Sequence, residues 1–341
     1  MNIRRYKPGD EGQIQSLFKK TFRSERSLEE WEWKFKHNPE QPDPFILLFE
    51  EDGRILGHIS LWVSKAYIQG EEKRIGLRID TMVDPDARGK GVYKQLNEAL
   101  LTEAEKEGIA YLYGFPAPKA KELFLKYTNA THLTDVPRFM FVKKPVALLA
   151  SKLKPLKMLK PLDVIYEKMK APHFTEDPKL EVKKISHCDE AFDKLAEKTR
   201  SQTDAQLVRN ATYLNWRYFS HPKHDYTMNA VYRGHELQGY VVTRSNDKGA
   251  FHNGLIVDWL AVEDPLVWDA LLKAAFRELK QADVIQTWAL EHTLPAQILK
   301  NYHFTHKDNP MPLVGKEVDD HMDKLNDASK WYITLGDVDS F

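Results

Sequence analysis

The chain has 341 residues, 50 Lys and Arg against 50 Asp and Glu, and one cysteine, Cys188. Balanced charge removes the broad attraction for a polyanion on which dedicated nucleic-acid binding depends. A single thiol excludes a disulfide within the chain and favours a reducing compartment, and no apolar run approaches the ~20 residues that span a bilayer.

At about 150 residues per domain the length predicts roughly two domains. The opening "MNIRRYKPGD" reads as a short strand and a turn, without the apolar centre of a signal peptide, so the expected location is cytoplasmic. "EWKFKHNP" (32–39) ends a helical pattern at a proline, which cannot continue a helix. "PFILLFEEDGRILGHISLWV" then reads as strand, "EDG" turn, strand, and "RIGLRIDTMVDP" as a third strand. Val92, Leu96, Ala99, Leu100 and Ala104 recur at helical spacing over 91–107. The strand "IAYLYGF", a short helix and a terminal strand near "THLTD" follow.

The same order recurs about 180 residues later, a period too long for a solenoid. "NWRYFSHP" (215–222) matches 32–39 without a gap: Trp33, Lys34, Phe35 and Pro39 align with Trp216, Arg217, Tyr218 and Pro222. "DYTMNAVYRGHELQGYVVTRS", "GLIVDWLAVEDP", a helix over 265–280 with Leu271, Leu272, Ala275, Phe276 and Leu279, "DVIQTWAL" and "THKDN" repeat the later elements. The expectation is two copies of one mixed α/β domain, at 1–144 and 180–317. A lysine-rich helical linker over 145–179 is interrupted by Pro155 and Pro161. Its Leu149, Leu153 and Leu156 can share a face, read as an apolar stripe packed on one domain, with membrane contact through 145–170 as the lesser alternative. The tail, 318–341, reads as a helix and a strand, since "WYITLGDVDSF" alternates; Asp337 and Asp339 are expected to be solvated.

The stretch with most chemistry in it is "DPDARGKGVYKQL" (84–96), a glycine-rich turn between strand and helix. Glycine lets a ligand approach the main chain. The first N–H groups of a helix lack internal partners, and with the helix dipole they favour an anion; Arg88 and Lys90 add charge. A phosphate or pyrophosphate is the natural guest. Lys94 stands where the Rossmann fingerprint needs its third glycine, and no Walker loop exists, which disfavours a dinucleotide or a nucleoside triphosphate. No HExxH, Cys/His spacing or G-x-S-x-G is present, so neither a metal nor a serine nucleophile is expected.

Val83, Pro85, Arg88 and Gly91 resemble the signature [QR]-x-x-G-x-[GA] of the GNAT superfamily of acyl-CoA-dependent N-acetyltransferases, with Tyr93 in place of the last Gly or Ala. The resemblance covers residues 1 to about 144; the second copy matches in element order only, a tandem arrangement similar to Eis-type enzymes. It implies an α+β fold of two tandem GNAT-like domains, each a mostly antiparallel sheet flanked by helices, with acetyl-CoA as cosubstrate. The amides of Met82 and Val83 would pair with the pantetheine arm. Arg88 and the amides of Gly89, Lys90, Gly91, Val92 and Tyr93 would take the pyrophosphate. Direct attack by a primary amine in a ternary complex would need a base and an acid. Asp80, placed by strand alternation on the face of Met82, is the nominated base, with His58 second, and Tyr127 is the nominated acid, since the family-like spacing falls on Phe124. The degenerate second copy has only Glu263, Asp264 and Pro265 before its helix, so one cofactor site per chain is expected. Self-association is left open. A non-catalytic acyl-CoA-binding or scaffold protein is the alternative of another class. Aminoacyl transfer to cell-wall precursors is a further one, against which the pyrophosphate loop argues.

Overall fold

Alternation of period two decides what each strand of the first half buries. In β2 (Ile46–Glu51), Ile46 and Leu48 join one apolar cluster, while Leu47 and Phe49 join a second on the opposite face. β3 (Arg54–Ile68) divides likewise, with Trp62 in the first cluster and Ile59, Leu61 and Val63 in the second. The structure, a computed structural model, describes residues 2–150, 158–159, 161–246, 251–319 and 322–341.

β1 (Asn2–Arg5), α1 (Glu11–Phe22), α2 (Leu28–Phe35), β2, β3, β4 (Glu71–Val83), α3 (Val92–Lys106), β5 (Ile109–Gly114), α4 (Pro118–Thr128) and β6 (Thr131–Val142) make the first half. After α5 (Pro145–Ala150) and α6 (Pro161–Lys170), the second half has β7 (Leu180–Ile185), α7 (Glu190–Lys198), β8 (Ala205–Leu207) and α8 (Ala211–Leu214). It continues through β9 (Thr227–Arg233), β10 (Glu236–Ser245), β11 (Asn253–Ala261), α9 (Pro265–Glu278), β12 (Val284–Trp288), α10 (Leu294–Asn301) and β13 (Thr305–Glu317). The fold is mixed α/β with a largely antiparallel sheet, and the repeat seen in the sequence organises it.

One sheet runs through both halves in the order β1-β2-β3-β4-β5-β13-β6-β12-β11-β10-β9-β7, with β8 set against β3. The halves exchange their last strands. β13 pairs with β5, β6 pairs with β12, and the two exchanged strands pair with each other. Neither half therefore completes its sheet from its own residues. The duplicated tryptophans meet each other reciprocally. Trp33 and Trp216 stack with centroids 5.2 Å apart, and each indole N–H donates to the other's carbonyl oxygen at 3.0 Å.

α3 lies on the second cluster through the buried Val92, Leu96, Leu100 and Ala104, and Ala99, the fifth position read from the sequence, packs against it partly buried. Its first turn presses onto Gly57, where a Cβ would stand 2.6 Å from Val92 Cγ1 and 2.8 Å from Leu96 Cδ1. Gly57→Ala is expected to lift this turn from the sheet, at a cost of roughly 1–3 kcal/mol for overpacking. A denaturant titration showing unchanged stability would contradict that packing.

Two expectations need correction. The tail is not a strand. It forms 3-10 turns at Asp323–Asn326, Ala328–Lys330 and Leu335–Asp337, and among the described residues Trp331 makes only an isolated bridge, to Ala205. Arg217 donates to Val338 O at 2.9 Å. Asp337, rather than being solvated, is 3% exposed and accepts from Arg209 Nη2 at 2.8 Å. In the connector, Leu149 does not pack; it is exposed, as are Leu162, Val164, Ile165 and Met169. Leu153 and Leu156 lie outside the described residues. No helix among the described residues is long and apolar enough to cross a membrane.

Candidate active site

At the end of β4 the chain makes a 3-10 turn, Pro85–Ala87, and then passes through Gly89 (φ +84°) and Gly91 (φ +77°) into α3. Both glycines occupy the left-handed region that side chains disfavour. The first ladder bond of α3 runs from Gln95 N–H to Gly91 O at 3.1 Å, so the N–H groups of Val92, Tyr93 and Lys94 precede the ladder. Arg88 and Lys90 are exposed, and neither takes part in an ion pair among the described residues. Two carboxylates stand nearby, Asp84 and Asp86, and they share one lysine, with Lys20 Nζ 2.7 Å from each. The loop thus presents the amides of Val92, Tyr93 and Lys94 together with two cations that make no ion pair among the described residues.

Beside the loop the sheet opens. β4 and β5 pair in parallel from Arg74 to Leu77, and no further; Gly114 of β5 turns to Val314 of β13. The next residues of β4 carry a bulge: His58 opposes Met82 while Ser60 opposes Ile79, and Asp80 takes φ +47°. This breaks the alternation on which the shared face of Asp80 and Met82 was expected. Met82 is buried in the cluster that holds Ile75, Leu77 and Ile79.

Register also separates the two nominated amides. Asp84 N–H donates to Leu56 O at 2.8 Å, which makes Gly57–Val83 a non-hydrogen-bonded pair. Val83 N–H is therefore turned to the gap, whereas Met82, opposite His58, occupies a hydrogen-bonded position and turns its own amide into the sheet. Met82 offers no free amide to the gap.

The gap leads into a cavity of about 530 Å³ whose lining includes Arg26, Lys34, Arg78, Asp80, Tyr93, Phe124 and Asp339. The Asp80 carboxylate is held by Arg26 and lies 3.3 Å from Lys34 Nζ. Lys34 in turn bonds Asp339 at 2.6 Å, so Asp339 is ion-paired rather than solvated. Burial works to raise the Asp80 pKa, but Lys34 and Arg26 outweigh it and hold the carboxyl below the usual range. Such a group is a weak proton acceptor near neutrality. His58 is fully buried, with Nδ1 2.7 Å from Asp80 O, and burial lowers its pKa to about 4. Tyr127 does not line the cavity. It packs on Tyr93, centroids 5.8 Å apart, and Tyr93 is the phenol that does. Cys188 is 1% exposed, and burial pushes its thiol up to about 12, which leaves it protonated and without nucleophilic character.

The structure thus places Asp80 and Tyr93 on the cavity, Arg88, Gly89, Lys90, Gly91 and Val92 in the turn that opens α3, and Val83 at the end of β4, and it leaves Met82 and Tyr127 off the cavity lining. Sequence reasoning passed over Arg26, Lys34 and Arg78. A signal existed for one of them: Lys34 follows the repeated tryptophan and aligns with Arg217, and both are buried cations.

In the second half, the pairing of β11 with β12 also stops early, at Leu255. The following helix start is closed by its own side chain. Asp264 Oδ1 accepts from Leu266 N–H at 3.0 Å, Pro265 has no N–H, and Arg233 pairs with Asp264 at 2.8 Å. Among the described residues, no group of three or more His, Cys, Asp or Glu is placed to hold a metal ion.

Residues 2–121 match a family model described as an acetyltransferase (GNAT) domain. No curated protein matches the chain. Among solved structures, the chain is similar to a GCN5-related N-acetyltransferase from Anabaena variabilis, at 11% identity and TM-score 0.69 over 93% of this chain and 72% of that one. It is also similar to a conserved protein from Enterococcus faecalis described as a probable N-acyltransferase, at 12% identity and TM-score 0.66 over 93% and 73%. Eis1 from Mycobacterium abscessus aligns at 12% identity and TM-score 0.62 over 94% and 74%. At these identities the likeness is one of fold.

Proposed function

We propose, from the match of residues 2–121 to a family model described as an acetyltransferase (GNAT) domain, that the first half binds acetyl-CoA and transfers its acetyl group to a primary amine by direct attack in a ternary complex. The observation that carries this reading is the continuity of the α3 amino terminus, the β4–β5 gap and the cavity. The unshared amides of the loop, with Arg88 and Lys90, suit a pyrophosphate. The free edge of β4, with Val83 N–H turned outward, suits an extended amide-bearing arm lying along it as an added strand. The cavity beyond has room for the thioester and an acceptor.

In the transfer, a C–N bond forms to the acyl carbon and the C–S bond breaks. The amine sheds a proton and the leaving thiolate takes one. Tyr93, the phenol on the cavity wall, is the candidate donor to the thiolate in place of Tyr127. Asp80, locked between Arg26 and Lys34, serves as a fixed negative charge that orients these cations, and the amine proton passes to water. A second reading, a non-catalytic acyl-CoA-binding protein, is favoured by the depressed Asp80 and the excluded Tyr127.

Calorimetry and a thiol-release assay separate the two. Binding of coenzyme A with thiol release against some member of a diverse amine panel supports transfer; binding with no release across the panel supports the second reading; no binding removes both. The stoichiometry is expected to be one coenzyme per chain, because the helix start of the second half is closed by Asp264 and Pro265. Two equivalent sites in the same titration would contradict that reading of the second half.

A further inference from the structure

Arg78 stands immediately past the last β4–β5 pair, where the strands part, and lines the cavity. Its guanidinium lies over the Phe124 ring, 3.7 Å from the centroid, and Nη2 donates to Asn97 Oδ1 at 2.6 Å. Nε and Nη1 are buried and have no hydrogen-bond partner among the described residues. The rest of the cavity is balanced: Arg26 and Lys34 face Asp80 and Asp339, and Glu30 faces Lys223 at 3.8 Å. Arg78 forms no ion pair with any described carboxylate. Burial lowers its pKa, partly offset by the Tyr93 phenol, yet a guanidinium remains charged in a protein. The cavity wall therefore carries one cation without an ion-pair partner among the described residues and with hydrogen bonds unmade, an arrangement that costs folding free energy until an anion completes it.

The fold itself does not require this cation. The two halves share the register at which pairing ends, Leu77 in one and Leu255 in the other, so the residue equivalent to Arg78 is Ile256. Ile256 is fully buried. An apolar side chain thus fills this place in the half whose helix start is closed, and the arginine occurs in the half whose helix start is open. The cation belongs to the cavity's task rather than to the sheet.

We propose that the cavity recognises a carboxylate, carried by one of the two substrates and bound against the Arg78 guanidinium. A planar carboxylate offers two acceptor oxygens to one of the guanidinium's two donor edges, Nε with Nη2 or Nη1 with Nη2, and it supplies the negative charge that Arg78 lacks. The carboxylate can arrive on the acyl group, as in a dicarboxylic acyl-CoA, or on the acceptor, as in an amino acid. This proposal rests on the acyl-transfer reading and narrows its substrate class.

The test is thiol release by the full chain with matched pairs. One arm compares acetyl-CoA with malonyl-CoA and succinyl-CoA at a fixed amine. The other compares amino acids with their decarboxylated amines at fixed acetyl-CoA. In one arm the carboxylated member is expected to be favoured at least ~10-fold in kcat/KM, the range of a charge-assisted hydrogen bond. Arg78→Gln should abolish that preference mainly through KM, and Arg78→Lys should retain part of it. The absence of any preference in the unsubstituted chain would overturn the proposal without recourse to a variant. So would a preference that survives in Arg78→Gln, or an equal loss for every substrate. Failure of the underlying reading looks different, since then coenzyme A would not bind the unsubstituted chain, and this proposal would fall with it.

Discussion

Gly91→Glu is expected to lose coenzyme A binding, with affinity falling at least ~100-fold in calorimetry while the chain stays folded. Two effects act together. Gly91 holds φ +77°, where an L side chain costs roughly 1–2 kcal/mol. A Cβ there meets nothing nearer than Gln95 Nε2 at 3.7 Å, so the carboxylate has room and projects beside the amides that would face the diphosphate. Like charge at that distance is worth more than the strain, since the amides and cations of the loop are arranged for an anion that the glutamate would both mimic and repel. Gly91→Ala separates the contributions, because it carries the backbone strain without the charge and should weaken binding far less. Equal affinity of a folded Gly91→Glu and the unsubstituted chain would end the assignment of this loop.

Asp80→Asn is expected to destabilise the protein by about 3–5 kcal/mol at neutral pH, the usual cost of stranding a buried ionic partner. Arg26 and Lys34, whose side chains are 3% and 9% exposed, would share a single remaining carboxylate, Asp339. Asparagine tolerates the left-handed backbone that Asp80 adopts, so the substitution removes charge with little added strain. The folded pKa of Asp80 is held below its unfolded value of ~3.9. Its contribution is therefore fully present above that value and is lost as pH falls toward the folded pKa. Urea midpoints of the two proteins should differ at pH 7 and converge from about pH 5 downward. The same variant tests its chemical role. A fixed charge contributes no ionisation near neutrality to the pH profile of kcat/KM, so the disappearance of a neutral limb in a folded Asp80→Asn would restore this residue as the base.

The loop was legible because its chemistry is local. Two glycines, the helix start after them and the two cations lie within a few consecutive residues, and main-chain geometry follows from that order alone. The duplication was legible for the same reason, through "WKF" and "WRY" and the matching run of strands. The cavity was not legible in this way. Arg26, Lys34, Arg78 and Asp339 come from a loop, a helix, a strand and the tail, and only the folded chain makes neighbours of residues 34 and 339. Tyr127 and the Met82 amide were nominated from the resemblance, and tertiary geometry turns the phenol to Tyr93 and the amide into the sheet; strand alternation, applied to Asp80 and Met82, fails at the bulge.

By itself the sequence pointed to most of the strands and helices, to an order of elements that repeats, and to a glycine turn before α3 that the second half lacks. These depend on side-chain period and on backbone freedom at glycine, both of which act over one or two turns of chain. Tertiary structure decided that the halves exchange β6 and β13, that Asp80 is bound between two cations, and that Arg78 is left without a counter-charge. Each of these is a pairing between groups far apart in the chain, and its energy depends on burial and register that exist only once the whole sheet has formed.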